Sequence, residues 1–310
     1  ITPDFSHYFF IDGGALAVEN ALKAAFDWKA QKSGIRSLST VNELDVVHFY
    51  KAFHGRTGYT LSLTNTELNK TKLFPQFGWN TIYDIDKLDT YMHSEVAAII
   101  VEPIQGEGGD NHFHPQVFHE LRSLADTYDS MLIFDEVQTG LGGTGKMWAY
   151  EHAGVVPDMM CFGKKTQVCG FCSTNRIDEV KENVFSTSGR INSTWGGNIV
   201  DMVRSKYIIE TIQEEKLVEK AANVGKYFLS QLSHIKGLQN VRGKGLMIAF
   251  DLETTAHRDK LKSIIQEQML VLTCGTKSIR LRPVLTFSEE DVERACEIIE
   301  DSLSRLEKEI

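Results

Sequence analysis

The sequence lacks several features that would assign it to other protein classes. No apolar run approaches the eighteen residues of a membrane span, so we expect no membrane segment. No basic stripe is present, and 33 lysines and arginines face 42 acidic residues, which gives a net charge of −9. We therefore expect no nucleic-acid binding. The five cysteines are an odd number, which argues against a full disulfide framework and favours a reducing compartment such as the cytoplasm.

What is present predicts an α/β protein with a mostly parallel sheet. The 310 residues, 42% of them hydrophobic, suffice for one large or two ordinary domains. Short apolar runs alternate with helical patterns, which is typical of βαβ units with helices on both faces of the sheet. The predicted strands are 8–11, 45–50, 96–101, 131–134 and 159–162, and the predicted helices between them are 15–32 and 115–128.

The pattern changes in the last third of the chain. A long helical stretch from about 199 to 232 precedes short strands and a final amphipathic helix, which indicates a smaller α+β domain. The predicted elements are strands 241–252, 270–272 and 278–283 and helix 288–307. We place the domain boundary near residue 212, so the predicted domains are 1–212 and 213–310.

Polar residues follow two of the predicted strands directly. Asp135 and Glu136 end the first, and Gly163, Lys164 and Lys165 end the second. Ligands of open α/β sheets gather at the carboxyl ends of the strands. A carboxylate and a lysine on neighbouring strand ends suit pyridoxal phosphate, which uses a lysine for its Schiff base and a carboxylate at its pyridinium nitrogen.

Three more segments are candidates for ligand contact. Gly13 and Gly14 turn the chain tightly before a helix that opens at Ala15, and a helix N-terminus is an anion site. The loop at 52–57 combines Phe53, His54 and Arg56 after a predicted strand. Glu107 lies among glycines after strand 96–101.

Other motifs favour different readings. Gly140, Gly142 and Gly145 match the spacing of a dinucleotide fingerprint, so a nicotinamide-dependent dehydrogenase is an alternative. Such glycines should follow a strand immediately and open a helix, whereas residues 135–139 intervene. Cys169 and Cys172 form a C-x-x-C without a second pair at zinc-ligand spacing, and we expect small buried thiols and no metal.

Together these residues resemble the class III pyridoxal-phosphate-dependent aminotransferases. The segment Asp135–Gly140, followed by Asp158 and Gly163–Lys164, is close to the signature of that class. The resemblance extends over essentially the whole chain. It implies a fold-type I transferase with a large cofactor-binding domain and a small C-terminal domain. A segment that precedes residue 1 in the class is expected to be missing here.

Three stretches are similar to the lysine 6-aminotransferases of that class: 13–29, 163–170 and 192–198. The implied reaction moves the ε-amino group of L-lysine to 2-oxoglutarate and gives 2-aminoadipate 6-semialdehyde and glutamate. The alternatives within the class are ω-aminotransferases that use ornithine or 4-aminobutyrate. A relative without catalysis is a further alternative, which the intact Lys164 and Asp135 disfavour.

The resemblance also implies roles for cofactor-binding residues. Lys164 would form the Schiff base and then act as the general acid–base, buried so that its pKa is lowered. Asp135 would pair with the pyridinium nitrogen. The other implied contacts are Val137 and Phe53 on the two ring faces, Gln138 near the ring hydroxyl, Gly14 and Ala15 at the phosphate, and Thr194 at the phosphate of a partner subunit's cofactor. The last contact implies a homodimer with shared sites.

The implied substrate-binding residues are Arg56, Glu107, Asn192 and Arg280. Arg56 would bind the carboxylate distal to the reacting amine, and Arg280 the α-carboxylate of 2-oxoglutarate or glutamate. Glu107 would neutralise Arg280 when lysine presents its ε-amine. Arg282, two residues along the same predicted strand, points the same way and is an alternative to Arg280.

Overall fold

The computed structural model describes residues 1–309, which contain thirteen strands and eight α-helices. The strands are β1 (His7–Ile11), β2 (Asp45–Phe49), β3 (Thr81–Ile82), β4 (Val96–Val101), β5 (Ile104–Gln105), β6 (Asn111–His112), β7 (Met131–Asp135), β8 (Met159–Phe162), β9 (Cys169–Ser173), β10 (Gln239–Lys244), β11 (Met247–Asp251), β12 (Leu272–Cys274) and β13 (Ser278–Leu281).

The helices are α1 (Gly14–Lys32), α2 (Leu38–Val41), α3 (Gly58–Ser62), α4 (Pro115–Thr127), α5 (Ile199–Glu214), α6 (Leu217–His234), α7 (Thr255–Ile265) and α8 (Glu289–Glu309). Short 3₁₀ helices lie at Leu68–Lys70, Ile85–Tyr91, Ala149–His152, Lys164–Thr166 and Asn175–Glu179. Among residues 1–309, none of the helices combines the length and the apolar character that crossing a membrane requires.

The chain forms two compact units. The first comprises Ile1–Pro103, Phe113–Gly140 and Ala149–Ile208, and the second comprises Ile104–His112, Leu141–Trp148 and the chain from Ile209 onward. The boundary predicted near residue 212 is close to this last division. Two short segments from the first half of the chain also belong to the second unit. The functional domains 1–212 and 213–310 stay a prediction.

The first unit contains a seven-stranded sheet in the order β1-β9-β8-β7-β4-β2-β3. Five strands run parallel to one another: β8, β7, β4, β2 and β3. β9 is antiparallel to both β8 and β1. The sheet is therefore mostly parallel, as predicted. Sequence reasoning missed β9 because its Cys-Gly-Phe-Cys-Ser segment was interpreted as a thiol pair.

Helices cover both faces of this sheet. The small and apolar side of α1 packs against one face in a core that includes Ile100, Ile133 and Met159. On α4, Phe118 contacts Phe134, whose ring centroid lies 5.3 Å away. Because successive strand residues point to opposite faces, Ile133 and Phe134 lie on different sides of the sheet. The carboxyl ends of the parallel strands remain uncovered by these two contacts.

The second unit is the predicted α+β domain. Its antiparallel sheet has the order β10-β11-β13-β12, and α6, α7 and α8 contribute to its apolar core. The helical stretch predicted at 199–232 is two helices, because Lys216, with a φ of 52°, separates α5 from α6. The predicted strand at 241–252 is likewise a hairpin, because Gly245 turns the chain between β10 and β11 with a φ of 54°.

Candidate active site

Four parallel strands of the first unit end in polar residues at one edge of the sheet. β8, β7, β4 and β2 are consecutive neighbours. Lys164 follows β8, Asp135 ends β7, Glu102 follows β4 and His54 follows β2 after a short turn. The parallel direction of these strands brings an amine, two carboxyl groups and an imidazole to the same edge, as sequence reasoning predicted for Asp135 and Lys164.

Asp135 is held by two contacts. Its Oδ2 lies 2.8 Å from Nδ1 of His54, and its Oδ1 accepts a hydrogen bond from the Val137 backbone N–H at 3.1 Å. Both side chains are buried. Within the described residues, the other ring nitrogen of His54 is buried and has no hydrogen-bond partner. The carboxylate is thus fixed by a histidine that the sequence had placed only in a ligand-contact loop.

Glu102 and Glu136 are fully enclosed carboxyl groups beside Asp135. Burial raises the pKa of Glu102 to about 7; His54 opposes this rise and Asp135 adds to it. Burial also raises the pKa of Glu136 to about 7, although Thr139 and the N–H groups of Ala149 and Tyr150 donate to it. Sequence reasoning gave neither residue a role, although each directly follows the last residue of a strand.

The N-terminus of α1 forms a backbone cradle. The first intrahelical bond runs from the Ala17 N–H to the Gly13 carbonyl, so the preceding N–H groups of Gly14, Ala15 and Leu16 lie outside the helical pattern. Gly13 has a φ of 101°. A Cβ on Gly14 would lie 2.7 Å from Cγ1 of Val137, so a larger residue does not fit without a shift. These N–H groups suit an anion.

The turn after β2 is tied to α1. Glu19 of α1 accepts hydrogen bonds from the Thr57 hydroxyl at 2.6 Å and from the Tyr59 N–H at 2.8 Å. This contact positions Phe53, which is half-buried, and Arg56, whose side chain is exposed. The Arg56 guanidinium carbon lies 6.0 Å from the centre of the Phe53 ring. An aromatic face and an accessible cation therefore follow one another in this turn.

The two lysines after β8 differ in their surroundings. Lys165 donates from Nζ to the Gln138 carbonyl at 2.6 Å. Lys164 has a φ of 51°, begins the short 3₁₀ helix and has an exposed side chain. The expected burial of Lys164 is therefore wrong, because its backbone directs it out of the sheet edge. Lys164 stays the candidate for cofactor chemistry that the resemblance to the class implies.

The remaining candidates of the first unit lie in more open positions. Val137 and Gln138 are half-buried in the turn after β7. Thr194 and Asn192 are exposed in the loop before α5, where Asn192 accepts the Ser193 N–H at 2.8 Å. The positions of Thr194 and Asn192 do not by themselves indicate a ligand.

In the second unit, the β5–β6 turn offers two carboxylates to two arginines. Glu107 Oε2 lies 3.3 Å from Nη2 of Arg280, and Asp110 Oδ2 lies 2.8 Å from Nη2 of Arg282. Asp110 is fully buried, whereas the Glu107 side chain is 27% exposed. Within residues 1–309, Nε of Arg280 is buried and lacks a hydrogen-bond partner. That donor edge suits a carboxylate ligand.

The competing motifs do not form the structures they require. Residues 137–148 form turns and bends after β7, and no helix opens at the Gly140 fingerprint, so the dinucleotide reading is wrong. Cys172 is buried, but Cys169 is only half-buried. Among residues 1–309, no group of three or more histidine, cysteine or acidic side chains is arranged to hold a metal ion.

Comparison with known proteins agrees with this arrangement. The model of the aminotransferase class-III family matches residues 1–303. An L-lysine-epsilon aminotransferase of Mycobacterium tuberculosis is 45% identical over 97% of this chain and 73% of its own length. An acetylornithine aminotransferase of Bacillus cereus is 34% identical over 94% of this chain and 74% of its own length.

The chain belongs to the class-III aminotransferase family. A solved lysine aminotransferase of M. tuberculosis superposes with a TM-score of 0.91 at 45% identity, covering 98% of this chain and 76% of that one. The fold is therefore that of a fold-type I transferase. Class-III aminotransferases use pyridoxal phosphate, and the predicted enzyme class and cofactor are confirmed.

The residues at the sheet edge fit this cofactor. The cradle at Gly14 is too narrow for a Cβ and presents backbone donors, as a phosphate needs. Asp135 is a buried carboxylate fixed by His54, as a pyridinium nitrogen needs. Lys164 supplies an amine at the end of the adjacent strand.

Proposed function

We propose that this class-III aminotransferase transfers the ε-amino group of L-lysine to 2-oxoglutarate, giving 2-aminoadipate 6-semialdehyde and glutamate. The observation that carries the proposal is the similarity to L-lysine-epsilon aminotransferases, at 45% identity over nearly the whole chain. The acetylornithine aminotransferase, a rival within the class, reaches 34%. Other ω-amino donors are therefore the weaker alternative.

The cofactor end of the reaction relies on the first unit. When bound, pyridoxal phosphate supplies an electrophilic carbonyl and a ring that stores an electron pair. The N–H groups of Gly14 and Ala15 hold its phosphate. Asp135 would keep the ring nitrogen protonated. Val137 and Phe53 would pack on the ring faces, and Gln138 would contact the ring hydroxyl.

Lys164 carries the proton transfer. Its Nζ would hold the cofactor and would then serve as the general acid–base that moves a proton between the cofactor and the substrate. The resemblance to the class assigns this role to Lys164, which follows β8 beside Asp135 of β7 at the sheet edge.

Arginines recognise the carboxylates of the substrates. Arg280 binds the α-carboxylate of 2-oxoglutarate or glutamate through its Nε and Nη2 edge, and Arg56 binds the distal carboxylate. When lysine presents its ε-amine, the reacting carbon carries no carboxylate for Arg280, and Glu107 then neutralises Arg280. The 3.3 Å contact between Glu107 and Arg280 supports this exchange. Asn192 contributes a polar contact to the substrate.

We also propose a homodimer in which Thr194 contacts the phosphate of the cofactor held by a second copy. An exposed apolar strip on the first turns of α5 supports it: Ile199, Val200, Val203 and Tyr207. These residues lie close in sequence to Thr194. The cytoplasmic location stays a prediction from the cysteine content.

The test is the visible absorption spectrum of the purified protein loaded with pyridoxal phosphate. We expect a cofactor band that bleaches when L-lysine is added and returns with 2-oxoglutarate, and that is absent from Lys164→Ala. Lys165→Ala is the matched control and should retain the band. A band that ignores lysine but responds to ornithine or 4-aminobutyrate would keep the family and overturn the donor.

A further inference from the structure

Two arginines stand near the end of β13, and they have different partners. Arg280 lies within the strand, opposite Ala249 of β11, and Arg282 follows its last residue. Residues two apart in an extended segment point to the same side. Both guanidinium groups can therefore reach the β5–β6 turn. Their different partners indicate which of the two is available to bind a substrate carboxylate.

The partner of Arg282 is permanent. Asp110 is fully buried, and its Oδ2 lies 2.8 Å from Nη2 of Arg282. Burial raises the pKa of Asp110, but His112 and Arg282 outweigh burial and hold the pKa below its usual range. Arg282 also donates from Nη1 to the carbonyls of Ile248 and Leu281. Its guanidinium is thus bound on two sides.

A third arginine fixes the turn itself. Arg242 of β10 donates from Nε to the Asp110 carbonyl at 3.0 Å and from Nη2 to the Gly109 carbonyl at 2.5 Å. Its Nη1 lies 2.9 Å from Oδ1 of Asp251. The backbone of residues 109 and 110 is therefore clamped to the four-stranded sheet, on the same turn that carries Glu107.

A close backbone approach completes the clamp. The Gly275 N–H donates to the Glu107 carbonyl at 3.0 Å. A Cβ on Gly275 would lie 2.8 Å from Cα of Gly109, so only glycine allows this approach. Asp110 itself has a φ of 54°, a conformation that costs free energy and persists where surrounding contacts impose it. The position of Glu107 in the turn is thus set by its neighbours.

We infer that Asp110 is a positioning residue for substrate recognition: it binds Arg282 away from substrate carboxylates and fixes the turn so that Glu107 faces Arg280. This inference rests on the proposed function, in which Arg280 binds the carboxylate of a 2-oxo dicarboxylic acid. Arg282 is then a partner of Asp110, and the alternative between Arg280 and Arg282 is decided for Arg280.

The test is binding of glutarate, a dicarboxylate without the reactive keto group, to the cofactor-loaded protein by isothermal titration calorimetry. Asp110→Asn removes the charge while keeping the shape and releases Arg282. We expect glutarate to bind about tenfold more tightly, because Arg282 is then free to attract the carboxylate and competes with Arg280 for Glu107. Arg280→Met should abolish glutarate binding.

The double variant Asp110→Asn, Arg282→Met distinguishes positioning from general destabilisation. With both charges removed, we expect the affinity for glutarate to fall back to within about threefold of the wild type. This variant also carries the test where Asp110→Asn alone does not fold. Loss of glutarate binding in the double variant would mean that Arg282 is itself a ligand residue, and it would overturn the inference.

An unchanged affinity of Asp110→Asn for glutarate would also overturn the positioning role of Asp110. A wild-type protein that does not bind glutarate would overturn it as well. Amino transfer from L-lysine is measured on the same wild-type sample. Its absence would remove lysine as the donor, while the ratios of glutarate affinity between the variants would still decide the role of Asp110.

Discussion

The sheet edge of the first unit and the β5–β6 turn of the second both present carboxylates, but they hold them differently. Asp135 is buried and fixed by His54 at 2.8 Å, whereas Glu107 is 27% exposed along its side chain and meets Arg280 at 3.3 Å. The Glu107–Arg280 pair is longer and more accessible to solvent than the Asp135–His54 pair, so exchanging its partner costs less. Asp135, which has a fixed partner, is buried. Glu107, which exchanges partners in the proposed reaction, is partly exposed.

The largest effect is expected from a change at the sheet edge of the first unit. Replacing Lys164 with alanine removes both the covalent attachment and the proton carrier, so kcat for amino transfer should fall at least about 1,000-fold. Steady-state kinetics with L-lysine and 2-oxoglutarate measures this. Lys165→Ala, which removes the contact to the Gln138 carbonyl, should stay within about tenfold; equal losses in both variants would contradict the assignment.

A second prediction concerns stability and tests how deeply the edge is buried. Because Glu102 has a pKa of about 7 when folded, its contribution is fully present below the unfolded pKa and is lost as the pH rises through 7. Glu102→Gln cannot ionise and should raise the free energy of unfolding above pH 7 by about 3 kcal/mol. Urea denaturation of the cofactor-free protein between pH 4.5 and 8 measures this.

The amide of Glu102→Gln can still accept the Phe53 N–H, which donates to Oε1 at 2.9 Å in the wild type. The exposed Glu43 provides the control. Glu43→Gln should follow the wild-type pH dependence. If Glu102→Gln followed it as well, the carboxyl would be ionised in the folded protein at neutral pH.

A smaller effect is expected at the phosphate cradle. The added methyl of Gly14→Ala would meet Cγ1 of Val137 at 2.7 Å, and overpacking of this kind costs about 1–3 kcal/mol. We expect about tenfold weaker binding of pyridoxal phosphate, measured by quenching of tryptophan fluorescence. Gly78→Ala, at a position with open space around it, should bind the cofactor as the wild type does.

Sequence reasoning predicted the parallel sheet and the strand-end positions of Asp135 and Lys164, because apolar runs ending in polar residues are local signals. It could not predict the contact of His54 with Asp135, which joins residues 81 positions apart. It also left Arg280 and Arg282 undecided. The two arginines differ because Arg282 is paired with the buried Asp110. An ion pair between residues so far apart in the sequence leaves no local pattern.

The break at Lys216 shows a similar limit. The sequence predicted a helical stretch without a break, whereas the left-handed Lys216 divides it into α5 and α6. The residues around Lys216 include no glycine or proline that would mark the break. The Gly245 hairpin offered a signal, since glycine commonly marks such turns.

The exchange of partners at Arg280 is tested most directly by measuring the rates of two half-reactions in a rapid-mixing experiment. Both rates are measured for the wild type and for Glu107→Gln. One mixes the cofactor-loaded protein with L-lysine, and the other mixes it with glutamate. We predict that the variant slows the lysine half-reaction about tenfold, because Arg280 is left without its charged partner, and spares the glutamate half-reaction. Equal slowing of both half-reactions would contradict the exchange of partners at Arg280.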